Sequence, residues 1–226
     1  MVGRTPISVN LTPGLESRGT LACLDCLTHA LRQAAFFKID AFVIKLEGHF
    51  QYSSAPAVVE PYALSPAELQ KLTDYGLRYH IQLVPFLDGP AHIAFILKHP
   101  EYAGLREYPE SNYELCATNP DSYKLLLGMY QDLLAANRGV KYFYLSTDEP
   151  YYIGKANDSR CHEAAREREL GSVGRLLGEF LTKTANVLHD QDWFERVQSA
   201  RNTYAQRHAL APRGYRLDWK DAGGGR

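Results

Sequence analysis

Strand and helix alternate four times along this chain, and no other feature restricts its possible folds as much. Short apolar runs at 7–11, 39–45 (IDAFVIK), 81–86 (IQLVPF) and 142–145 read as strands. Between them lie segments with apolar residues at helical spacing. The first covers 20–38 through Leu24, Leu27, Leu31, Ala34 and Ala35. The second covers 65–79, opened by Ser65-Pro66-Ala67-Glu68, a proline first turn with glutamate at the capping-box position. A short helix is expected at 93–98 and a polar connection at 106–118. A longer helix starts at Asn119-Pro120-Asp121, and after a charged loop an amphipathic helix follows over 172–189. Strands two to four are nearly continuous apolar runs, as strands are when helices cover both sheet faces. Serial βαβ units then leave two architectures, a doubly wound sheet or a (β/α)8 barrel. The turn after the first strand, Thr12-Pro13-Gly14-Leu15-Glu16, is not the glycine-rich phosphate turn of a dinucleotide fold.

Each of the last three strands ends in polar chemistry. Strand two runs into Glu47 and His49, strand three into Asp88 and His92, strand four into Asp148 and Glu149. In a barrel these ends converge on one face. The last is the most telling: in KYFYLSTDEPYY, Pro150 stops the strand and leaves two adjacent carboxylates just past its end. Neighbouring carboxylates cannot both ionise freely, so their pKa values are expected to be pushed apart, as general acid catalysis near neutrality requires. An ordinary turn or a helix N-terminus would also use an Asp-Glu pair.

The 226 residues carry a formal net charge of −1 with 23% charged side chains, giving no electrostatic reason to expect nucleic acid or a membrane surface as partner. No apolar run approaches a membrane span, and MVGRTPISVN lacks the apolar core of a signal peptide, so a cytoplasmic location is expected. Cys23 and Cys26 form a CxxC inside a helical pattern with no second CxxC, so they are expected as helix thiols, not zinc ligands. No cofactor and no metal is expected.

The strand-end segments carry a resemblance. VPFLDGPAHIAF is similar to the third-strand segment of the family 20 glycoside hydrolases, the β-N-acetylhexosaminidases, where a strand proline is followed by Asp and a small-residue turn ending in His. YLSTDEP resembles the family's fourth-strand segment, which ends in an Asp-Glu pair. KLEGHFQY resembles the second-strand segment of one branch. The resemblance spans about residues 7–190, although the turn reads Pro90-Ala91-His92 where the family usually has Pro-Gly-His. It implies that Glu149 is the general acid and that Asp148 orients the substrate's own 2-acetamido group, which attacks the anomeric carbon. This is substrate-assisted hydrolysis, the exception to the two-carboxylate rule. Asp88 and His92 would line the sugar site and hold the acid, with Glu47 and His49 as further substrate-binding candidates. Arg4 and Arg18 do not match the spacing of the family's substrate-gripping arginine and are not taken as site residues.

A complete (β/α)8 barrel takes roughly 250 residues and eight strands. The expected architecture is therefore α/β, a partial TIM-type (β/α)8 barrel of about four βα units over 1–190, with a non-matching tail over 191–226. Open parallel edges in such a half-barrel would favour self-association. Two other readings stand beside the hexosaminidase: a metal-dependent barrel hydrolase or lyase using Asp88, His92 and Asp148 or Glu149, and a non-catalytic sugar-binding remnant.

Overall fold

The computed structural model describes residues 24–147, 149–153 and 173–190. The expected first strand at 7–11, the charged loop at 154–171, Asp148 and the tail at 191–226 lie outside the described residues.

Helix α1 (Leu24–Phe36) buries Leu27, Leu31 and Ala34, a stripe at helical spacing. It leads into strand β1 (Ala41–Lys45). Helix α2 (Pro66–Arg78) follows, and its start is fixed locally. The Glu68 amide donates to Ser65 Oγ at 3.2 Å, while Ser65 N–H donates to Glu68 Oε2 at 2.8 Å. This reciprocal cap is the one legible in Ser65-Pro66-Ala67-Glu68. Strand β2 (Gln82–Asp88) runs two residues further than the apolar pattern predicts, so Asp88 is a strand residue rather than a loop residue. After a four-residue helix α3 (Ala94–Leu97), helix α4 (Pro120–Ala135) returns the chain to strand β3 (Tyr144–Ser146). Helix α5 (Val173–Asp190) packs against α4.

The three strands are parallel and ordered β1-β2-β3. Lys45 lies opposite Phe86, and Asp88 lies opposite Ser146. β3 joins β2 only from Phe86 onward, so Pro85, which has no N–H to donate, faces no residue of β3. The fourth expected strand, 142–145, is displaced toward its C-terminus. At its entry Lys141 N–H donates to the Gln82 side chain at 2.9 Å, which takes the place of a ladder bond.

The side-chain period of two divides the sheet into two faces. Phe42, Ile44, Leu83 and Leu87 join the main core with α1, α2 and α4. Val43, Val84 and Phe86, with Ala41, Tyr142 and Tyr144 against them, form a second apolar tier on the other face. Lys45, Asp88 and Ser146 continue that second face toward the strands' C-terminal ends, and all three are buried.

Two expectations are corrected. Cys26 is not a free thiol: it is exposed on the first turn of α1 and disulfide-bonded. Cys116 is buried and not part of a disulfide. The segment 106–118 is more than a polar connection, for it buries Glu107, Glu114, Leu115 and Cys116 and doubles back through an Arg106–Leu115 antiparallel bridge. Among the described residues no helix is long and apolar enough to cross a membrane.

The cap gives a simple test. Removing the Ser65 hydroxyl in Ser65→Ala should cost about 1 kcal/mol in chemical denaturation near neutral pH. Hydrogen bonds from the Ser65 amide and hydroxyl hold the Glu68 carboxyl below its ordinary 4.5. Its contribution is therefore present above that value and lost as pH falls through the lowered one. The gap between wild type and Ser65→Ala should narrow in that acid range.

Candidate active site

Just beyond the C-terminal end of each strand, one residue adopts a left-handed backbone: Glu47 (φ 47°), His92 (φ 55°) and Glu149 (φ 41°). Other non-glycine residues do so too, and Lys38 and His80 follow helix ends, where this conformation is common. Away from a helix end it is unfavourable for a side-chain-bearing residue and persists only where surrounding contacts enforce it.

The contacts fall into two groups. At the first, Lys45 Nζ lies 2.5 Å from Asp88 Oδ2 and 3.3 Å from Glu47 Oε1, and 5.2 Å from the centre of the Phe86 ring. Asp88 is fully buried, and its Oδ1 has no hydrogen-bond partner among the described residues. Burial alone would lower the Lys45 pKa, but the hydrogen bond and charge of Asp88, aided by Glu47, outweigh it and raise the value above 10.5. At the second, His92 Nε2 lies 3.4 Å from Glu149 Oε2, joining the turn after β2 to the loop after β3. Tyr113 packs edge-on against the His92 ring at 4.8 Å and donates its hydroxyl to the Glu149 carbonyl at 3.2 Å.

The turn that carries His92 is tightly specified. A Cβ on Gly89 would sit 2.7 Å from Leu126 Cδ1 and 2.9 Å from the Tyr130 hydroxyl, both held in the core by α4, so only glycine fits without moving that packing. The Gly89–Pro90 peptide is cis.

Of the residues expected at the site, Glu149 and His92 meet each other, while Asp88 and Glu47 meet at Lys45. His49 joins neither group. It lies within electrostatic range of Glu60, whose carboxylate pairs with Lys98. Asp148 is outside the described residues. The metal-site alternative had Asp88 and His92 converging, whereas the structure gives Asp88 to Lys45 and His92 to Glu149. Among the described residues no three His, Cys, Asp or Glu side chains gather as metal ligands. Lys45, Tyr113 and Glu114 were not singled out from sequence. For Lys45 a signal existed: a charge closing an apolar strand, on the same face as Ala41 and Val43.

The pair makes a sharp prediction. Lys45→Met leaves a buried carboxylate without its cation, which should cost about 3–5 kcal/mol of stability. The double variant Lys45→Met/Asp88→Leu, which removes both charges, should recover most of that loss in urea denaturation. A double variant no more stable than Lys45→Met would show that the ion pair is not the cause.

Residues 28–209 match the glycosyl hydrolase family 20 catalytic domain. Hexosaminidase D of Homo sapiens is 25% identical over 177 residues, covering 78% of this chain and 36% of that protein. The chain spans about a third of the length of the curated relatives it matches. Among solved structures, a Flavobacterium johnsoniae chitobiase superposes with a TM-score of 0.64 at 20% identity, over 81% of this chain and 30% of that one. A Bacteroides fragilis β-N-acetylhexosaminidase gives 0.63 at 19% identity, over 81% and 39%. These likenesses concern the fold, and the family match rests on more than half of the sequence: the chain belongs to glycosyl hydrolase family 20, and what it contains is catalytic-domain sequence of that family.

Proposed function

We propose that this chain carries the acid half of a glycoside hydrolase site that removes terminal N-acetylhexosamine by substrate-assisted, retaining hydrolysis. The observation that carries the reading is the 3.4 Å approach of His92 Nε2 to Glu149 Oε2 at the C-terminal ends of parallel strands, in a chain of family 20. Glu149 is 56% exposed at its side chain, so it can reach a ligand that enters from solvent. In this reading Glu149 protonates the leaving glycosidic oxygen, and His92 orients the carboxyl. The acetamido carbonyl oxygen of the substrate attacks the anomeric carbon while the C–O bond to the leaving group breaks. Asp148 receives the acetamido N–H and stabilises the positive charge of the cyclic intermediate. Water then opens the ring, giving up its proton to Glu149, which is thereby restored. Lys45 pairs with Asp88 at the wall of the site.

The same reading takes residues 1–190 as four βα units of a (β/α)8 barrel, with the family match running past them to residue 209. It leaves the open strand edges as surfaces for a second copy or for the remaining barrel strands. The Hexosaminidase D likeness and the chitobiase fold support a carbohydrate substrate.

Leaving-group dependence tests the acid. In protein that cleaves aryl N-acetyl-β-glucosaminides, Glu149→Gln should lose roughly 100-fold or more in kcat with poor leaving groups and far less with good ones, which need little protonation. Equal loss on both would remove Glu149 from that role. Asp148→Asn should lower kcat by a comparable factor, and a thiazoline analogue of the cyclic intermediate should bind much more tightly than substrate. Equal cleavage of plain glucosides, with the thiazoline inert, would overturn the substrate-assisted route.

A further inference from the structure

Between α3 and α4 the chain forms a narrow ribbon that reaches both halves of the candidate site. Its two arms are joined by Glu107 N–H donating to the Glu114 carbonyl at 2.9 Å and Cys116 N–H to the Leu105 carbonyl at 2.7 Å. On one side it grips the His92 turn: Leu115 N–H donates to the Pro90 carbonyl at 2.9 Å, and Ile93 N–H to the Tyr113 carbonyl at 3.3 Å. On the other it grips the loop carrying Glu149. Tyr113 donates to the Glu149 carbonyl, and Tyr152 N–H donates to Glu114 Oε2 at 2.9 Å. Tyr108 stacks on Tyr152 with ring centres 5.8 Å apart, and Tyr113 contacts Tyr151 at 5.7 Å. Ile153 closes the loop by packing with Cys116 and Leu176.

Glu114 stands out within this ribbon. It is 1% exposed, yet its other oxygen, Oε1, has no hydrogen-bond partner among the described residues. A buried carboxylate is costly unless something specific compensates it. What compensates it here is the backbone of the acid loop. Burial raises the Glu114 pKa above the ordinary range, the amides of Tyr152 and Ile153 act against that rise, the charge of buried Glu107 adds to it, and the Tyr151 amide again lowers it. An apolar side chain would pack in this place at lower cost to the fold, so the carboxylate is explained by the loop it holds.

We infer that Glu114 is a positioning residue for the reaction: by binding the Tyr152 amide it fixes residues 149–153, and with them the Glu149 carboxyl, against His92. This rests on the reading of Glu149 as the acid. The role differs from that of a residue that supports the fold. Removing Glu114 relieves a buried charge and frees the backbone amide of Tyr152, a residue that is 38% exposed.

The test compares wild type with Glu114→Leu and Glu114→Gln by residue-resolved amide hydrogen exchange on the 226-residue chain. In Glu114→Leu the amides of Tyr151, Tyr152 and Ile153 should exchange roughly ten- to a hundredfold faster, while amides of α2 and α4 and the unfolding midpoint stay unchanged or gain. Glu114→Gln keeps one acceptor oxygen and should restore part of the protection. In protein that cleaves N-acetylhexosaminides, Glu114→Leu should lower kcat on poor leaving groups by about the same factor, with KM held within roughly threefold. Unchanged exchange at 151–153, or a uniform increase across α2 and α4, would overturn the inference. Local loosening with kcat intact, where Glu149→Gln is inactive, would overturn it too and leave Glu149 as the acid. Full activity of Glu149→Gln would remove the acid assignment and with it the catalytic half of this inference. Local exchange would still decide whether Glu114 holds the loop.

Discussion

The Lys45–Asp88 pair ties the C-terminal ends of β1 and β2 together in a place where neither charge is well solvated. Everything above the sheet is built from that point. In the observed parallel register Lys45 and Asp88 share the face of Val43, Val84 and Phe86 and come within reach of each other. A slip of one residue between the strands would put the two charges on opposite faces and turn one of them into the apolar layer beneath the helices. The pair also sets where the chain leaves β2. Past Asp88 there is no further strand, and the Gly89–Pro90–Ala91 turn delivers His92 within reach of the loop after β3.

Above this tier the site is assembled from loops. Glu149 and His92 come from different strand ends and approach to 3.4 Å. The 105–116 ribbon reaches both, through Tyr113 and Glu114 on one side and the Pro90 carbonyl on the other. A catalytic acid on a loop needs such support, because a carboxyl misplaced by an ångström loses much of its effect. Here the support combines neutral hydrogen bonds, stacked tyrosines and one buried carboxylate. The carboxylate is the costly member, and it alone exchanges fold stability for loop position.

The apolar runs at 39–45 and 81–86 place β1 and β2 within two residues, and Ser65 with Glu68 marks the start of α2, because each signal is local: side-chain period, β-branched content, a reciprocal cap. Three of those signals fail in instructive ways. β2 extends through Leu87 and Asp88 because a buried aspartate can be a strand residue when a lysine from the neighbouring strand neutralises it. β3 begins two residues late, and just before its expected start the Lys141 amide is bonded to the Gln82 side chain. Cys26 sits at helical spacing, as expected, but pattern alone says nothing of pairing, and its sulfur is in a disulfide.

For the candidate site the division is similar. The sequence by itself determined the alternation of strands and helices, the polar residues just past each strand end, and the family to which the motifs belong, because all of these are written in residues close together in the chain. Only the tertiary structure decided which of those residues meet. Asp88 is paired not with His92, four residues away, but with Lys45, 43 positions earlier, and Glu47 joins it there while His49 joins neither group and lies within electrostatic range of Glu60. The partners of the acid loop, Tyr113 and Glu114, lie 36 and 38 positions from the groups they hold. Contacts at such separation depend on how the ribbon folds back and on which side of it each residue faces, and no local pattern encodes that.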